Sequence, residues 1–438
     1  MATDTLAGEW VARAPAAEPL VVAAQAIAEG TAAPVAAGPA QRHFLFVTAP
    51  FGPFSALLAR RLRAAGARCT RVLLNGGDVV DWGLGEAAAY RGARAGWAGW
   101  LTAYLRREAV TDVVVFGDTH PYAASALDEA RRRNLSVHVL EEGYFRPHWI
   151  TLEHGGVNGC SGLPRDPEAY RRAAVAGGAS PGEPARLGPA HRELSWRIFL
   201  YFAGVYAGWP LFARFKQPYS YSPLRQGLAH AGKYLARRMA ELAGAPPRPA
   251  APPHYFLVLL QRPGDSQIVR HSPFRTVAAM IEHVLTSFAR HAPPDAALLI
   301  KAHPLDHGIE RHDRQIAALA ASLGVAGRVT FIDEGLLPGL LGRADGVVTV
   351  NSTGGLAALE AGRPTIALGQ AIYDIPGLAH QAGLDRFWSA PEAPEALLFD
   401  GFKRTVIALT QVNGAFASHA GAEAAAAGVA ERVLGERG

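Results

Sequence analysis

Apolar residues recur along this chain with two alternating periods. HFLFVTAP (43–50) is a short continuous apolar run of the kind a buried strand uses. FSALLARRLRAAG (54–66) spaces its apolar positions three and four apart and closes on glycine, as an amphipathic helix does, and CTRVLLN (69–75) returns to a strand. The alternation continues with a helix in GWAGWLTAYLRRE, a strand TDVVVFGD (111–118), a helix ASALDEARRRN and a strand SVHVLEEG (136–143). After the proline-rich GAPPRPAAPP (244–253) a second series opens: YFLVLLQ, the helix FRTVAAMIEHVLTSFARH, AALLIKAHP, the helix RHDRQIAALAASLG, RVTFIDEG, a short helix, GVVTVNS, the helix GGLAALEAG and PTIALG. Short apolar strands separated by helices imply parallel sheets covered on both faces.

The fold class predicted is α/β, with two Rossmann-like domains and a ligand cleft between them, the GT-B architecture of many glycosyltransferases. Residues 1–41, rich in Ala, Pro and Gly without a sustained period, read as a flexible leader. The first domain is expected over 42–190, a helical, aromatic segment and linker over 191–253, the second domain over 254–390, and C-terminal helices and a tail over 391–438. Within the linking segment, LSWRIFLYFAGVYAGWPLFARFK (194–216) approaches bilayer-spanning length, but Arg197, its glycines and Pro210 interrupt or bound it. It reads as a spanning helix, an interdomain helix, or a helix lying in the lipid interface, and its Trp and Tyr beside Arg and Lys favour the interface.

Composition narrows the function classes. A chain of 438 residues with 49% hydrophobic and 18% charged residues is globular and long enough for two cores. Its net charge of +5 suits an anionic partner, such as a nucleotide or an anionic membrane surface. No zinc-finger spacing, RNP-like aromatic pattern or lysine block is present, so nucleic acid is not expected as a partner. Cys69 and Cys160 read as reduced cytosolic thiols, with no CxxC and no Cys/His metal spacing. The N-terminus lacks the basic and apolar regions of a signal peptide, which predicts a cytoplasmic protein.

Three short polar motifs fall at predicted C-terminal ends of strands, where open α/β sheets bind ligands: Glu141-Glu142-Gly143, His303-Pro304 and Asn351-Ser352-Thr353. A leaving group with one phosphate needs an imidazole or other cation and helix N-terminal amides, and no metal. His303 supplies the first, and Ser352 and Thr353 begin a predicted helix that supplies the second. The acidic pair offers a nucleophile, acid or base. Each motif also has a plain structural reading: a strand-ending turn, a solvated strand end and a helix cap. A second acidic pair, Asp333-Glu334-Gly335, follows another predicted strand.

The trio resembles the D/E-D/E-G, HP and serine motifs of bacterial CMP-sialic acid transferases. Longer strings carry more: PFGPFSALLARRLRAAG with LLNGGDVVDW, FGDTHPY, EEGYFRPHWITLEHGGVNGCSGLPRD, GDSQIVRHSPF, KAHPLDHG and VNSTGGLAALEAGRPTIALGQAIYDIPGL. Together, over about residues 44 to 380, they resemble the capsule polysaccharide biosynthesis and export family of KpsS-like β-Kdo transferases and the related domains of KpsC.

That resemblance implies a retaining β-Kdo glycosyltransferase at the cytoplasmic face of a Gram-negative inner membrane. It would move Kdo, an anionic sugar acid, from CMP-Kdo to a phosphatidylglycerol or lysophosphatidylglycerol acceptor and so start the poly-Kdo linker of a capsular polysaccharide. The donor is then the only nucleotide required, with no cofactor and no metal, and other capsule assembly proteins are potential partners. The first domain becomes the acceptor side and the second the CMP-sugar side.

On this reading His303, with Lys301 and Pro304 beside it, holds the CMP phosphate, and Asn351, Ser352 and Thr353 hold the same phosphate or the cytidine. Asp265, Ser266, Gln267 and His271 form a further donor-side loop, and Arg146 meets the Kdo carboxylate. Double displacement needs a carboxylate at the anomeric carbon and a second group to move the acceptor proton. Asp118 and Glu142 form the leading pair, with Glu141 in the same motif. Gly52, Asn75, Gly76, Gly77 and Asp78 lie on the acceptor side. Tyr373 and Asp374 either line the cytidine pocket or pack the hinge. FGDTHPY departs from the family pattern in placing His120 where an arginine is expected before the proline. The alternatives are a related CMP-sugar transferase that extends the linker and a non-catalytic assembly or export component.

Overall fold

The computed structural model describes residues 41–83, 85–176, 183–187, 191–216, 221–243, 252–264, 266–306 and 308–435. The expected leader, except its last residue, and most of the proline-rich linker lie outside the described residues, as does Asp265. The described strands are β1 (His43–Phe46), β2 (Arg68–Leu73), β3 (Ala87–Ala89), β4 (Asp112–Phe116), β5 (Ser136–Glu142), β6 (Trp149–Glu153), β7 (Tyr255–Leu259), β8 (Leu298–Lys301), β9 (Val329–Ile332), β10 (Ala344–Thr349), β11 (Thr365–Ala367) and β12 (Gln411–Asn413).

They form two sheets, ordered β12-β6-β5-β4-β1-β2-β3 and β11-β10-β7-β8-β9. Each contains the doubly wound order 3-2-1-4-5, so each has a point where consecutive connections leave in opposite directions and open a crevice. In the first sheet that point lies between β1 and β4, and in the second between β7 and β10. This is the two-domain GT-B arrangement.

The second sheet is wholly parallel. The first is parallel from β5 to β3, but β6 runs antiparallel to both β5 and β12. Chain reversal after β5 turns at Gly143, where a Cβ would stand 2.1 Å from the Trp149 carbonyl oxygen. The last segment returns to the first domain. Helix Ala396–Thr410 packs on helix Pro167–Val175, with the Tyr170 and Phe402 rings 5.2 Å apart, and helix His419–Gly435 buries Ala422, Ala425, Ala426 and Val429 against helix Phe54–Ala64.

A buried ionic knot ties β1, β4 and β5. Asp112, with no exposed surface, accepts hydrogen bonds from Arg42 Nε at 3.1 Å and His138 Nε2 at 2.8 Å. Burial opposes its charge, but the hydrogen bonds from His138 and Arg42 outweigh that and hold its carboxyl well below the usual range. Removing the carboxylate strands a buried guanidinium, so Asp112→Ala should cost about 3–5 kcal/mol, read by denaturant unfolding. Because the folded pKa is depressed, the wild-type contribution is present above the unfolded value of about 3.9 and is lost as pH falls through the folded one. The variant should therefore lose less stability on acidification than wild type.

Candidate active site

The catalytic candidates of the first domain gather at the ends of β4 and β5. Asp118 follows β4, is buried, and accepts the Val157 backbone N–H on Oδ2 at 3.1 Å, while Oδ1 has no hydrogen-bond partner among the described residues. Glu141, half-buried near the end of β5, has its carboxyl pushed up to about 7. Burial is the main cause, and repulsion from Glu142 and Asp118 adds to it, against the Glu142 backbone N–H at 3.2 Å and the Arg146 charge. Successive strand side chains point to opposite faces, and it is Glu141 whose Oε2 lies 3.5 Å from where a Gly117 Cβ would stand, beside Asp118. Glu142 is exposed. The Asp118 charge is among those that raise the Glu141 carboxyl, so Glu141 lies near it, whereas the sequence favoured Glu142.

On the facing domain, His303 follows β8. Its Nδ1 accepts the Leu305 backbone N–H at 3.0 Å, which leaves the proton of the neutral ring on Nε2. Burial first, then the charges of Arg262, Arg146 and Lys301, lower its pKa to about 4, against the opposing charge of Asp306. Arg146 therefore acts on both Glu141 and His303, which places it electrostatically between the two halves of the site. Lys301 is buried, not solvated, and donates to the Ala302 carbonyl at 3.3 Å; burial lowers its pKa. Pro304 is exposed beside it.

Across the second sheet's switch point, Gln261 after β7 donates to Asn351 after β10 at 2.7 Å. Ser352 caps helix Thr353–Glu360, its Oγ accepting the Gly354 N–H at 3.1 Å, and its carbonyl accepts the Tyr373 hydroxyl at 2.8 Å. Tyr373 is buried under that helix, where a Cβ on Gly355 would meet its hydroxyl at 2.3 Å, so it packs rather than lines a pocket. Asp374 is held by the Gln381 amide at 3.0 Å.

A cavity of about 600 Å³ lies between the domains, walled by Tyr144, Phe145 and Arg146 on one side, by Thr353 and Gly354 on the other, and by Lys403 from helix Ala396–Thr410. It is of nucleotide-binding size. Asp118 and His303 do not line it; it meets the charged cluster at Arg146 and the helix start at Thr353.

Other sequence-predicted residues are placed differently. Asn75 and Asp78 close a capping box on helix Gly76–Trp82, and Asp78 also pairs with buried Arg71 at 2.8 Å. Gly76 and Gly77 touch helix His191–Ala207, where a Gly76 Cβ would stand 2.1 Å from the Gly204 carbonyl oxygen. Gly52, at φ +96°, gives its N–H to Asp81 at 3.0 Å. These groups hold the fold of the first domain. His120 caps helix Pro121–Arg132, and burial lowers its pKa to about 4, so it carries no charge with which to replace an arginine. His271 is buried at the end of helix Ser266–His271, and the side chains of Ser266 and Gln267 lie outside the described residues. Sequence reading missed Gln261 and Arg262; the strand-end rule applied to YFLVLLQR would have found both.

Two Rossmann-like domains with acids on one rim and an imidazole, hydroxyls and a helix N-terminus on the other define a protein of the GT-B class. Residues 111–417 match the family model described as capsule polysaccharide biosynthesis protein, and the chain belongs to that family. It is similar to the capsule polysaccharide export protein KpsS of Escherichia coli, 32% identical over 386 residues that cover 86% of this chain and 97% of that protein. It is also similar to the capsule polysaccharide modification protein LipB of Neisseria meningitidis serogroup A, 32% identical over 392 residues covering 86% and 92%. Among solved structures it is similar to KpsC, beta Kdo 2,7 transferase, of Thermosulfurimonas dismutans, with a TM-score of 0.42 and 15% identity over 90% of this chain and 99% of that one.

Proposed function

We propose that the protein is a retaining glycosyltransferase that moves Kdo from CMP-Kdo to a phosphatidylglycerol-type lipid and so begins the Kdo linker of a capsular polysaccharide. The observation that carries this reading is Asp118, with a carboxylate oxygen that has no hydrogen-bond partner among the described residues, beside Glu141, whose carboxyl is pushed up to about 7, with the Arg146 charge acting on both Glu141 and the His303 imidazole. Membership of the capsule polysaccharide biosynthesis family supports it.

In the first step Asp118 Oδ1 attacks the anomeric carbon, the bond from that carbon to the phosphate oxygen breaks, and CMP leaves with the electron pair. His303 Nε2–H and the amides opening helix Thr353–Glu360 stabilise the departing phosphate, within the field of Arg262 and Lys301, without a metal. In the second step the acceptor hydroxyl attacks the same carbon, Glu141 takes its proton, and Asp118 is released as a carboxylate. Arg146 suits the sugar's carboxylate.

The lipid end of the reaction fits the surface beside the acceptor domain. No helix among the described residues is long and apolar enough to cross a membrane. Helix His191–Ala207 instead packs its Tyr201 and Gly204 against helix Gly76–Trp82 and exposes Trp196 and Phe199, with Trp209 exposed just beyond it. Nearby basic residues suit it to lie on anionic lipid at the inner membrane. Replacing Trp196 and Trp209 by Ser and Arg214 by Gln should abolish co-sedimentation with phosphatidylglycerol vesicles; retained sedimentation counts against peripheral attachment here.

The decisive experiment incubates purified protein with CMP-Kdo and lysophosphatidylglycerol and measures CMP and glycolipid. Equimolar CMP and Kdo-lipid with the β configuration, at a rate a chelator does not lower, is expected. CMP release without transfer, or no release, overturns the reading.

A further inference from the structure

Cys160 and His271, neither of which enters the transfer steps, form a three-residue constellation with Asp118. Asp118 after β4, Cys160 in the turn Asn158–Cys160 and His271 at the end of helix Ser266–His271 place one ligand atom each within 4.8 Å of one another. Two come from the first domain and one from the second. Among the described residues, Asp118 Oδ1 and His271 Nε2 are buried with no hydrogen-bond partner, an arrangement that costs free energy unless something binds them.

The remaining atoms of the buried ligands are held in the way metal ligands usually are. Asp118 Oδ2 is occupied by the Val157 N–H, which leaves Oδ1 free. His271 Nδ1 faces Gln370 Oε1 at 3.5 Å; donation there puts the ring's lone pair on Nε2. The turn can come this close only because residue 159 is glycine, since a Cβ would stand 2.5 Å from His271 Nδ1 and 2.7 Å from Gln370 Oε1. Carboxylate, thiolate and imidazole together suit zinc, whose bonds of about 2.0–2.3 Å set ligand atoms roughly 3.3–3.8 Å apart in a tetrahedron. Side-chain rotation of about 1 Å closes the constellation onto such an ion. Cys160 is exposed, so a cation has a path from solvent.

We infer that Asp118, Cys160 and His271 form a binding site for Zn²⁺ or a similar thiophilic divalent cation, which clamps the two domains together and shuts off the enzyme. Binding exchanges the Cys160 S–H proton for the metal and releases that proton, so affinity rises with pH. The site itself stands on the geometry alone. Its inhibitory effect rests on the reading of Asp118 as nucleophile, because the oxygen that would attack the sugar is the one that ligates the cation.

The test uses the untagged, metal-stripped full-length protein titrated with Co²⁺ as a spectroscopic probe. Expected is one Co²⁺ per chain with a near-ultraviolet thiolate charge-transfer band, displaced by Zn²⁺. The band should vanish in Cys160→Ser, an exposed near-isosteric change, and affinity should fall at least about tenfold in Gln370→Ala, which frees the tautomer without touching the metal. A band that persists in Cys160→Ser, or wild-type binding no tighter than that of His271→Ala, overturns the site and leaves the transferase reading standing. In the turnover assay Zn²⁺ should inhibit wild type, and Cys160→Ser should resist inhibition. Stoichiometric Zn²⁺ without inhibition would keep the site and overturn Asp118 as the nucleophile.

Discussion

Asp118→Asn should lower Kdo transfer by about 10⁴-fold or more while the protein stays folded, because an amide cannot form the sugar ester on which double displacement depends. The substitution keeps the acceptor oxygen available to the Val157 N–H, so the local structure survives. Glu141→Gln fails at a different step. Departure of CMP as a phosphate monoester needs no proton, so the Gln variant should still release one equivalent of CMP per chain and then stall, with the sugar attached to Asp118 and visible by intact mass. Overall turnover should fall about 10²–10⁴-fold, the usual worth of a general base. The pH profile gives the sign. A base must be deprotonated, and the Glu141 carboxyl titrates near 7, so wild-type turnover should rise with pH through that value and the limb should disappear in the Gln variant. Substantial transfer by Asp118→Asn, or an adduct on another residue, would reassign the nucleophile.

How far the sequence reaches is clearest at particular elements. Both parallel cores were legible, because β1, β4, β7, β8 and β10 each contain a short apolar run and the intervening helices carry apolar residues three and four apart. The two switch points follow from that order, so the strand-end motifs could be expected to share a crevice before any coordinates. What was not legible is long-range pairing. β3 is Ala-Ala-Ala and β12 is Gln-Val-Asn, three residues each, with neither alternation nor an apolar run; they are strands only because β2 and β6 offer them an edge. β6, Trp149–Glu153, lies inside the string EEGYFRPHWITLEHGGVNGCSGLPRD, which carried the resemblance and was given no element.

The residues expected on the acceptor side show a second limit. Asn-Gly-Gly-Asp was legible as a turn, but the same letters write a capping box, and only the packing of Gly76 and Gly77 under helix His191–Ala207 explains the glycines. In the acidic motif the sequence left two adjacent glutamates, and burial separates them: Glu141 is half-buried and feels the Asp118 charge, while Glu142 is exposed. His303 does belong to a turn, its ring Nδ1 accepting the Leu305 N–H, and that contact leaves the proton of the neutral ring on Nε2.

His303 is the second decisive residue. Its Nδ1 contact fixes the tautomer, and its pKa near 4 means the free protein presents a neutral N–H donor in a field already positive from Arg262, Arg146 and Lys301. Charge grows on the CMP phosphate as the glycosidic bond breaks, so this donor strengthens toward the transition state more than in the ground state. His303→Ala should therefore cost about 3 kcal/mol of barrier, a fall in kcat on the order of 10²-fold with a smaller change in KM for CMP-Kdo. The arriving phosphate replaces part of the positive field that depresses the imidazole, which raises its pKa in the complex. CMP should then bind more tightly as pH falls toward that raised value, with proton uptake measurable by calorimetry in two buffers, and the dependence should flatten in the Ala variant. His303→Gln, which keeps an N–H donor without a titrating ring, should recover part of the rate and none of the proton uptake. Wild-type turnover in His303→Ala would remove the imidazole from the mechanism and leave the helix N-terminus at Thr353 and the neighbouring cations to carry the leaving group.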